Sequence, residues 1–307
     1  MPEGIVRYGI NNIFTIEEDV TGEVFECRIR GKILSDSVGG YNPLAPGDRV
    51  SFFYDSIESH KGYIENRLER KNAFLRYNIK KKQPQTIAAN LDIVVCISSP
   101  DNPPFRPRFI DRILVEAELM PGCDAMILLN KTDIGIPDNV ENILQLYESL
   151  GYPVRRVSAL TGIGLSDCFD IWKNKRVLFV GQSGVGKSSL INAIYPQASQ
   201  KTGEISKKYN RGSHVTIFAR SFCYDGMDIT DAPGVRDFIP YGVDSSELRF
   251  FYRDIAQLSC DCQYSSCVHI DEPGCAVKAA VESGTLNADR YYSYVRLYND
   301  ILELEKL

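Results

Sequence analysis

One run of eight residues constrains this chain more than any other. Gly181-Gln182-Ser183-Gly184-Val185-Gly186-Lys187-Ser188 matches GxxxxGK[ST] at every fixed position. The apolar stretch 177–180 precedes it and a helical segment, 187–195, follows, and this strand-to-helix context is what makes the pattern a phosphate loop. Its glycines let the backbone curl until successive N–H groups face anionic oxygens, and the helix N-terminus adds positive potential. Lys187 is expected to reach the β- and γ-phosphates of a nucleoside triphosphate and to serve catalysis there. Ser188, with Ser189 beside it, is expected to ligate Mg²⁺.

The base is selected elsewhere. Asn130-Lys131-Thr132-Asp133 ends the apolar strand 125–129. A carboxylate there can accept two hydrogen bonds from the N1–H and N2 amine of guanine, a donor pair that adenine lacks. Asp133 is the candidate, with Lys131 along the base plane. Ser158 and Ala159, after the strand 154–157, are expected to offer a backbone N–H to guanine O6. Asp231-Ala232-Pro233-Gly234 closes the site. Asp231 can hold Mg²⁺ through water, and the Gly234 N–H can meet the γ-phosphate. Thr216, in Gly212-Ser213-His214-Val215-Thr216, is a second candidate Mg²⁺ ligand. An ordinary small GTPase runs phosphate loop, switch threonine, DxxG, NKxD and then SA. Here NKTD and Ser158-Ala159 come first, so the G domain is circularly permuted, which near-adjacent termini allow.

Cys262-x4-Cys267-x-His269-x5-Cys275 places three thiolates and an imidazole within fourteen residues. That set suits a closed tetrahedral zinc site without an open catalytic position. Cys260 could stand in for Cys262. The remaining cysteines lie mostly in apolar stretches and read as small buried hydrophobes.

Around these motifs the chain divides in three. Residues 1–82 hold short β-rich stretches at 24–29, 49–54 and 62–64, the pattern of a small barrel or sandwich, and 80–85 resembles a linker. Residues 83–243 alternate apolar strands (91–98, 125–129, 154–157, 177–180, 227–230) with helical segments (108–119, 139–150, 187–195), as in a mainly parallel sheet covered on both faces. Residues 244–307 are helical, at 245–258 and 287–304, around the Cys/His knot.

Hydrophobic content of 44 % and charged content of 24 % fit a globular chain with a real core. No apolar run approaches the ~20 residues of a membrane span, and nothing at the N-terminus reads as a signal peptide. A cytoplasmic monomer without membrane contact is the expectation. The net charge of −5 hides two basic runs. Residues 61–82 carry eight Lys/Arg against two Glu, and 201–220 carry five against one, enough for local anion-binding patches.

Over its whole length the chain resembles the RsgA/YjeQ family of GTPases dependent on the small ribosomal subunit. The resemblance rests on Gly47-Asp48-Arg49-Val50, Arg70-Lys71-Asn72 and Leu75-Arg76, on the three nucleotide motifs, and on the Cys/His knot followed by Ala276-Val277 and residues 291–294. It implies an OB-fold barrel, a permuted P-loop GTPase domain and a helical zinc domain. It further implies GTP and GDP as ligands, rRNA of the small subunit as partner, a role in late subunit maturation, and release on hydrolysis. Two departures stand out. The family's switch His-Thr-Thr-Thr reads His214-Val215-Thr216-Ile217 here, and Asp-Thr-Pro-Gly reads Asp231-Ala232-Pro233-Gly234. Val235 follows where many GTPases place a water-orienting Gln, and the resemblance points instead to His214 as the catalytic residue.

Overall fold

The computed structural model describes residues 1–10, 12–30, 42–79, 81–195, 219–234 and 238–306. His214, Thr216 and Val235 lie outside the described residues, as do Lys80 and the lysines and arginine at 201, 207, 208 and 211.

Strands β1 (Glu3–Ile10), β2 (Ile13–Glu18), β3 (Val24–Ile29), β4 (Arg49–Tyr54) and β5 (Lys61–Arg67) close a barrel in the order β1-β2-β3-β5-β4. This is the five-stranded barrel expected for an OB fold. Alternate residues face inward, so Val6, Phe14, Ile16, Phe25, Phe52 and Ile64 fill it. The barrel docks through β1: the Arg7 guanidinium donates to Ser221 Oγ at 2.9 Å and to Asp228 Oδ2 at 2.7 Å.

The stretch 80–85 is not a linker. Strands β6 (Ala73–Asn78) and β7 (Gln83–Ala89) form an antiparallel hairpin across it. Pro84 pairs opposite Tyr77, whose N–H points away to Ile239 O, so the missing proline donor leaves nothing unsatisfied there.

The central sheet runs β10-β9-β8-β11-β13-β12, from β8 (Ile93–Ser98), β9 (Asp124–Leu129), β10 (Val154–Arg156), β11 (Arg176–Gly181), β12 (Arg220–Tyr224) and β13 (Met227–Asp231). Every pairing is parallel except β12 with β13. Helices α1 (Pro107–Glu118) and α2 (Asp138–Ser149) cover one face against Val94, Cys96, Leu178 and Val180. Helices α3 (Ser166–Trp172) and α4 (Lys187–Ile194) cover the other against Val95, Ile97, Val177 and Phe179. Strands buried on both faces read as continuous apolar runs, which is why they were legible.

In the C-terminal part the single helix expected over 245–258 is broken. A 3-10 turn (Leu248–Phe251) gives way to extended Tyr252 and then to α5 (Arg253–Ser259). The break turns the Tyr252 ring into the core, edge-on to Tyr294. Helices α6 (Ala276–Glu282) and α7 (Ala288–Leu304) follow, and Asn287 caps α7 by accepting from the Arg290 N–H. Arg290 joins α7 to the G domain, bridging Asp111 of α1 and Asp254 of α5. Among the described residues no helix is long and apolar enough to cross a membrane.

Candidate nucleotide site and metal centre

The C-terminal ends of β8, β9, β11 and β13 open on one edge of the sheet, where open α/β sheets bind ligands. The phosphate loop sits there under close constraint. A Cβ on Gly181 would lie 2.5 Å from Ile97 O, and Gly186, at φ +94°, would put one 2.3 Å from Asn130 Nδ2. Lys187 is buried, and its ammonium donates to Gly181 O at 2.8 Å and Gln182 O at 3.2 Å. Burial pulls its pKa down while Asp231 pulls the other way. Burial likewise lifts the Asp231 carboxyl to about 6, against the opposing effect of Lys187. Asp231 Oδ1 is buried without a hydrogen-bond partner among the described residues. Such an orphaned carboxylate oxygen beside a phosphate loop fits Mg²⁺ or its water shell. Ser183, Gly184, Ser188 and Ser189 are exposed, whereas Gln182 and Val185 are buried. Gly234 packs on this loop, with an added Cβ falling 3.3 Å from Ser183 Cα.

On the base side, Asn130 acts as a brace. Its Nδ2 donates to Val185 O at 2.9 Å, and its Oδ1 accepts from the Ala159 N–H at 3.0 Å, joining the phosphate loop to the loop after β10. Lys131, at φ +65°, donates to Asn102 O and Gly184 O, both at 2.7 Å. Asp133 is exposed, and its Oδ1 accepts from Ser158 Oγ at 2.5 Å. Of the two N–H groups expected to offer a donor to guanine O6, that of Ala159 is thus engaged by Asn130 and that of Ser158 by Ile163 O. The next residue, Leu160, is 84 % exposed, and its N–H has no partner among the described residues. Asn130, Lys131, Asp133, Ser158, Ala159, residues 181–189, Asp231 and Gly234 therefore gather at one edge.

The second centre lies between α5 and α6. Ligand atoms of Cys262, Cys267, His269 and Cys275 all fall within 4.8 Å of one another. The three sulfurs lie 3.5, 3.3 and 3.4 Å from His269 Nδ1. Ser259 Oγ donates to Ile255 O at 2.6 Å, so at 2.8 Å it accepts from the His269 Nε2–H. That leaves Nδ1 unprotonated and aimed at the sulfurs, the tautomer a metal needs. Burial, reinforced by Arg249, pushes the imidazole down to about 4 and keeps it neutral. Tyr291 and Tyr294 of α7 donate to His269 O and Val268 O, and Glu272 takes the Val268 and Ile270 N–H groups. The set can hold a metal ion. Cys260 is exposed and faces Ala256 O, outside the cluster.

A sequence model described as RsgA GTPase matches residues 67–239, which include every nucleotide motif. The chain belongs to the RsgA GTPase family. A Borrelia recurrentis (strain A1) protein named small ribosomal subunit biogenesis GTPase RsgA is 41 % identical over 296 residues, 96 % of this chain and 93 % of its own length. A protein of the same name from Bacteroides fragilis (strain YCH46) is 35 % identical over 303 residues, 97 % of this chain and 96 % of its own. The crystal structure of YjeQ from Thermotoga maritima superposes with a TM-score of 0.71 at 31 % identity, covering 98 % of each chain. YloQ, a circularly permuted GTPase, superposes with a TM-score of 0.70 at 28 % identity, covering 99 % of this chain and 96 % of its own. The RsgA GTPase assignment makes the chain a GTP hydrolase with a permuted G domain.

Three charged groups that tie neighbouring elements to the G domain escaped the sequence reading: Arg7, Glu116 and Arg290. Asp111 and Glu116 lie in the stretch 109–117 of α1, where every other residue except Arg112 is apolar, and both are buried. Two carboxylates inside a buried helix were the available signal, because charge is rarely buried without a purpose.

Proposed function

We propose that the chain hydrolyses GTP as a maturation factor of the small ribosomal subunit, with GTP bound across the edge of the six-stranded sheet. The observation that carries the nucleotide reading is Asn130, which braces the phosphate loop against the loop after β10 and leaves Asp133 open to a base. Asp133 reads the guanine N1–H and N2 amine, Lys131 flanks the ring, and the unpartnered Leu160 N–H stands next to Ala159 for O6. Lys187 exchanges its loop carbonyls for β- and γ-phosphate oxygens, while Gly234 offers its N–H to the γ-phosphate. Mg²⁺ held by Ser188 and Thr216, and by Asp231 through water, would supply charge neutralisation at those phosphates. His214 orients the attacking water.

The division of labour is 1–82 for rRNA, 83–243 for the nucleotide and 244–307 for the metal, with the β6–β7 hairpin bridging the first two. Zn²⁺ at Cys262, Cys267, His269 and Cys275 is structural, since four protein ligands leave no open position. The ribosomal reading is supported by likeness over nearly the full length to relatives named for small-subunit biogenesis. GTP turnover with purified small or large ribosomal subunits tests it. Small subunits are expected to raise turnover by orders of magnitude, up to ~10³-fold or more where a partner completes the geometry, and far less in His214→Ala. Equal turnover with both subunits, or with neither, overturns the proposal.

A further inference from the structure

The chain leaving the γ-phosphate turn does not run free. Phe238, four residues after Gly234, accepts at its carbonyl from Arg112 Nη1 at 3.0 Å. Ile239 O accepts from the Tyr77 N–H at 3.1 Å. The Tyr241 N–H donates to Glu116 Oε2 at 3.0 Å, while Glu116 Oε1 takes the Leu75 N–H of β6 at 2.7 Å. Two ring pairs close the same seam, Phe74 with Phe238 at 5.2 Å and Tyr77 with Tyr241 at 6.4 Å. Residues 238–241 are thus laid along the free edge of β6, and one carboxylate straddles the join. Glu116 is 1 % exposed, and among the described residues it has no cationic partner and hydrogen-bonds only to these two backbone donors. Burying an unpaired carboxylate is costly, and an apolar side chain would serve packing alone better. Its presence calls for a role that needs two acceptors in fixed places.

We infer that Glu116 is a positioning residue for the γ-phosphate contact: it holds residues 238–241 on the β6–β7 hairpin and so sets where Gly234 sits against Ser183. At most about 14 Å of chain separates Gly234 from Phe238, so where 238–241 is held bounds where Gly234 can sit. The same seam ties the segment after the turn to the hairpin that continues from the barrel. This rests on the reading of Gly234 as the residue whose N–H meets the γ-phosphate.

The test compares affinities for a non-hydrolysable GTP analogue and for GDP in the full-length, metal-loaded protein. In Glu116→Gln one oxygen still accepts, but the amide NH₂ faces the other N–H and opens the join. The ratio of GTP-analogue to GDP affinity is expected to fall about fivefold or more, the lower range for coupling between separate contacts, with GDP affinity unchanged. Tyr77→Ala, at the surface end of the seam, is expected to lower the ratio in the same direction and serves if Glu116→Gln does not fold. Gly234→Ala runs in parallel to test the underlying reading. If Gly234→Ala lowers the ratio while Glu116→Gln and Tyr77→Ala leave it at the wild-type value, the anchor is overturned. If Gly234→Ala also leaves it unchanged, the γ-phosphate reading fails and the inference falls with it. Equal loss of GDP and analogue affinity in Glu116→Gln marks a merely structural carboxylate and also overturns the inference.

Discussion

Replacing Arg290 by Met separates the C-terminal helices from the G domain in a way that can be sized beforehand. Arg290 is 5 % exposed and donates to Asp111 Oδ1 and, at 2.6 Å, to Asp254 Oδ2. Its guanidinium also lies 4.8 Å from the Tyr252 ring centre. Methionine restores apolar volume but strands two buried carboxylates beside each other. Two charge-assisted hydrogen bonds of about 1.5–3 kcal/mol each are lost, and removing one partner of a buried pair costs about 3–5 kcal/mol. With a urea slope of about 3 kcal/mol/M, a loss near 3 kcal/mol moves the midpoint by about 1 M. The single tryptophan, Trp172, is fully buried in the G domain, so its fluorescence reports that transition. The pH dependence has a definite sign. Burial already raises the Asp111 pKa, and Arg290 and the bond from Tyr147 hold it down. Without Arg290 the carboxyl rises further. A raised folded-state pKa gives stability that is present in acid and lost as pH rises through it. The deficit of Arg290→Met is therefore smallest in acid and grows as pH rises above the ordinary carboxylate range. A midpoint within about 0.2 M of wild type, or a deficit that shrinks with rising pH, refutes the reasoning.

Asp133→Asn is expected to exchange GTP preference for xanthosine triphosphate, whose extra carbonyl accepts from an amide; unchanged competition by GTP removes Asp133 from the base site. Protein purified without added metal is expected to carry about one zinc per chain. Elemental analysis of Cys267→Ser should show that zinc lost, whereas Cys260→Ser should keep it, and equal content in both variants counts against the cluster geometry. Arg7→Met leaves Asp228 and Ser221 bonded to each other but unpaired with β1. It is expected to loosen the barrel, seen as faster proteolytic cleavage between the barrel and the G domain, and an unchanged cleavage pattern would contradict that.

What could be read beforehand was what local spacing encodes. The phosphate loop, Asn130 to Asp133 and the cysteine knot each lie within fourteen residues, so their chemistry survives without knowledge of the fold. Elements were harder where burial erased periodicity. In β1, Gly4, Ile5, Val6 and Arg7 are all buried because the outer face docks on β12, so the alternation that marks a strand disappears. In β7 the run from Gln85 to Ala89 is buried throughout, and the segment 80–85, with Pro84, suggested a linker. The interactions that fix the site against its neighbours were out of reach for another reason. Glu116 meets Tyr241 across 125 residues, and Arg290 meets Asp111 across 179. No window along the chain brings such pairs together. The engagement of Ala159 by Asn130 is likewise a fact of three dimensions, and it moves the free donor one residue on.

The permuted order changes what the γ-phosphate turn is wired to. In an unpermuted G domain the chain after DxxG continues into the rest of the sheet. Here β13 ends at Asp231, and by residue 238 the backbone is already bonded to Arg112 and then to β6 and Glu116. From there it enters the C-terminal helices, whose Cys/His loop hangs from Tyr291 and Tyr294 of α7. That helix returns to α1 through Arg290 and Asp111, and Asp300 of α7 pairs with the same Arg112 that holds Phe238. Helix α1 begins just after Asn102, whose carbonyl takes the Lys131 ammonium beside Gly184. The path leaves Gly234, passes the Cys/His cluster and comes back to the phosphate loop. A displacement of residues 238–241 would therefore strain packed contacts with α1 and β6. Close-packed interfaces resist gradual deformation and tend to switch between discrete arrangements. In the permuted order the chain after Gly234 has thus reached contacts with α1 and β6 by residues 238–241, and it continues into the helices around the Cys/His cluster.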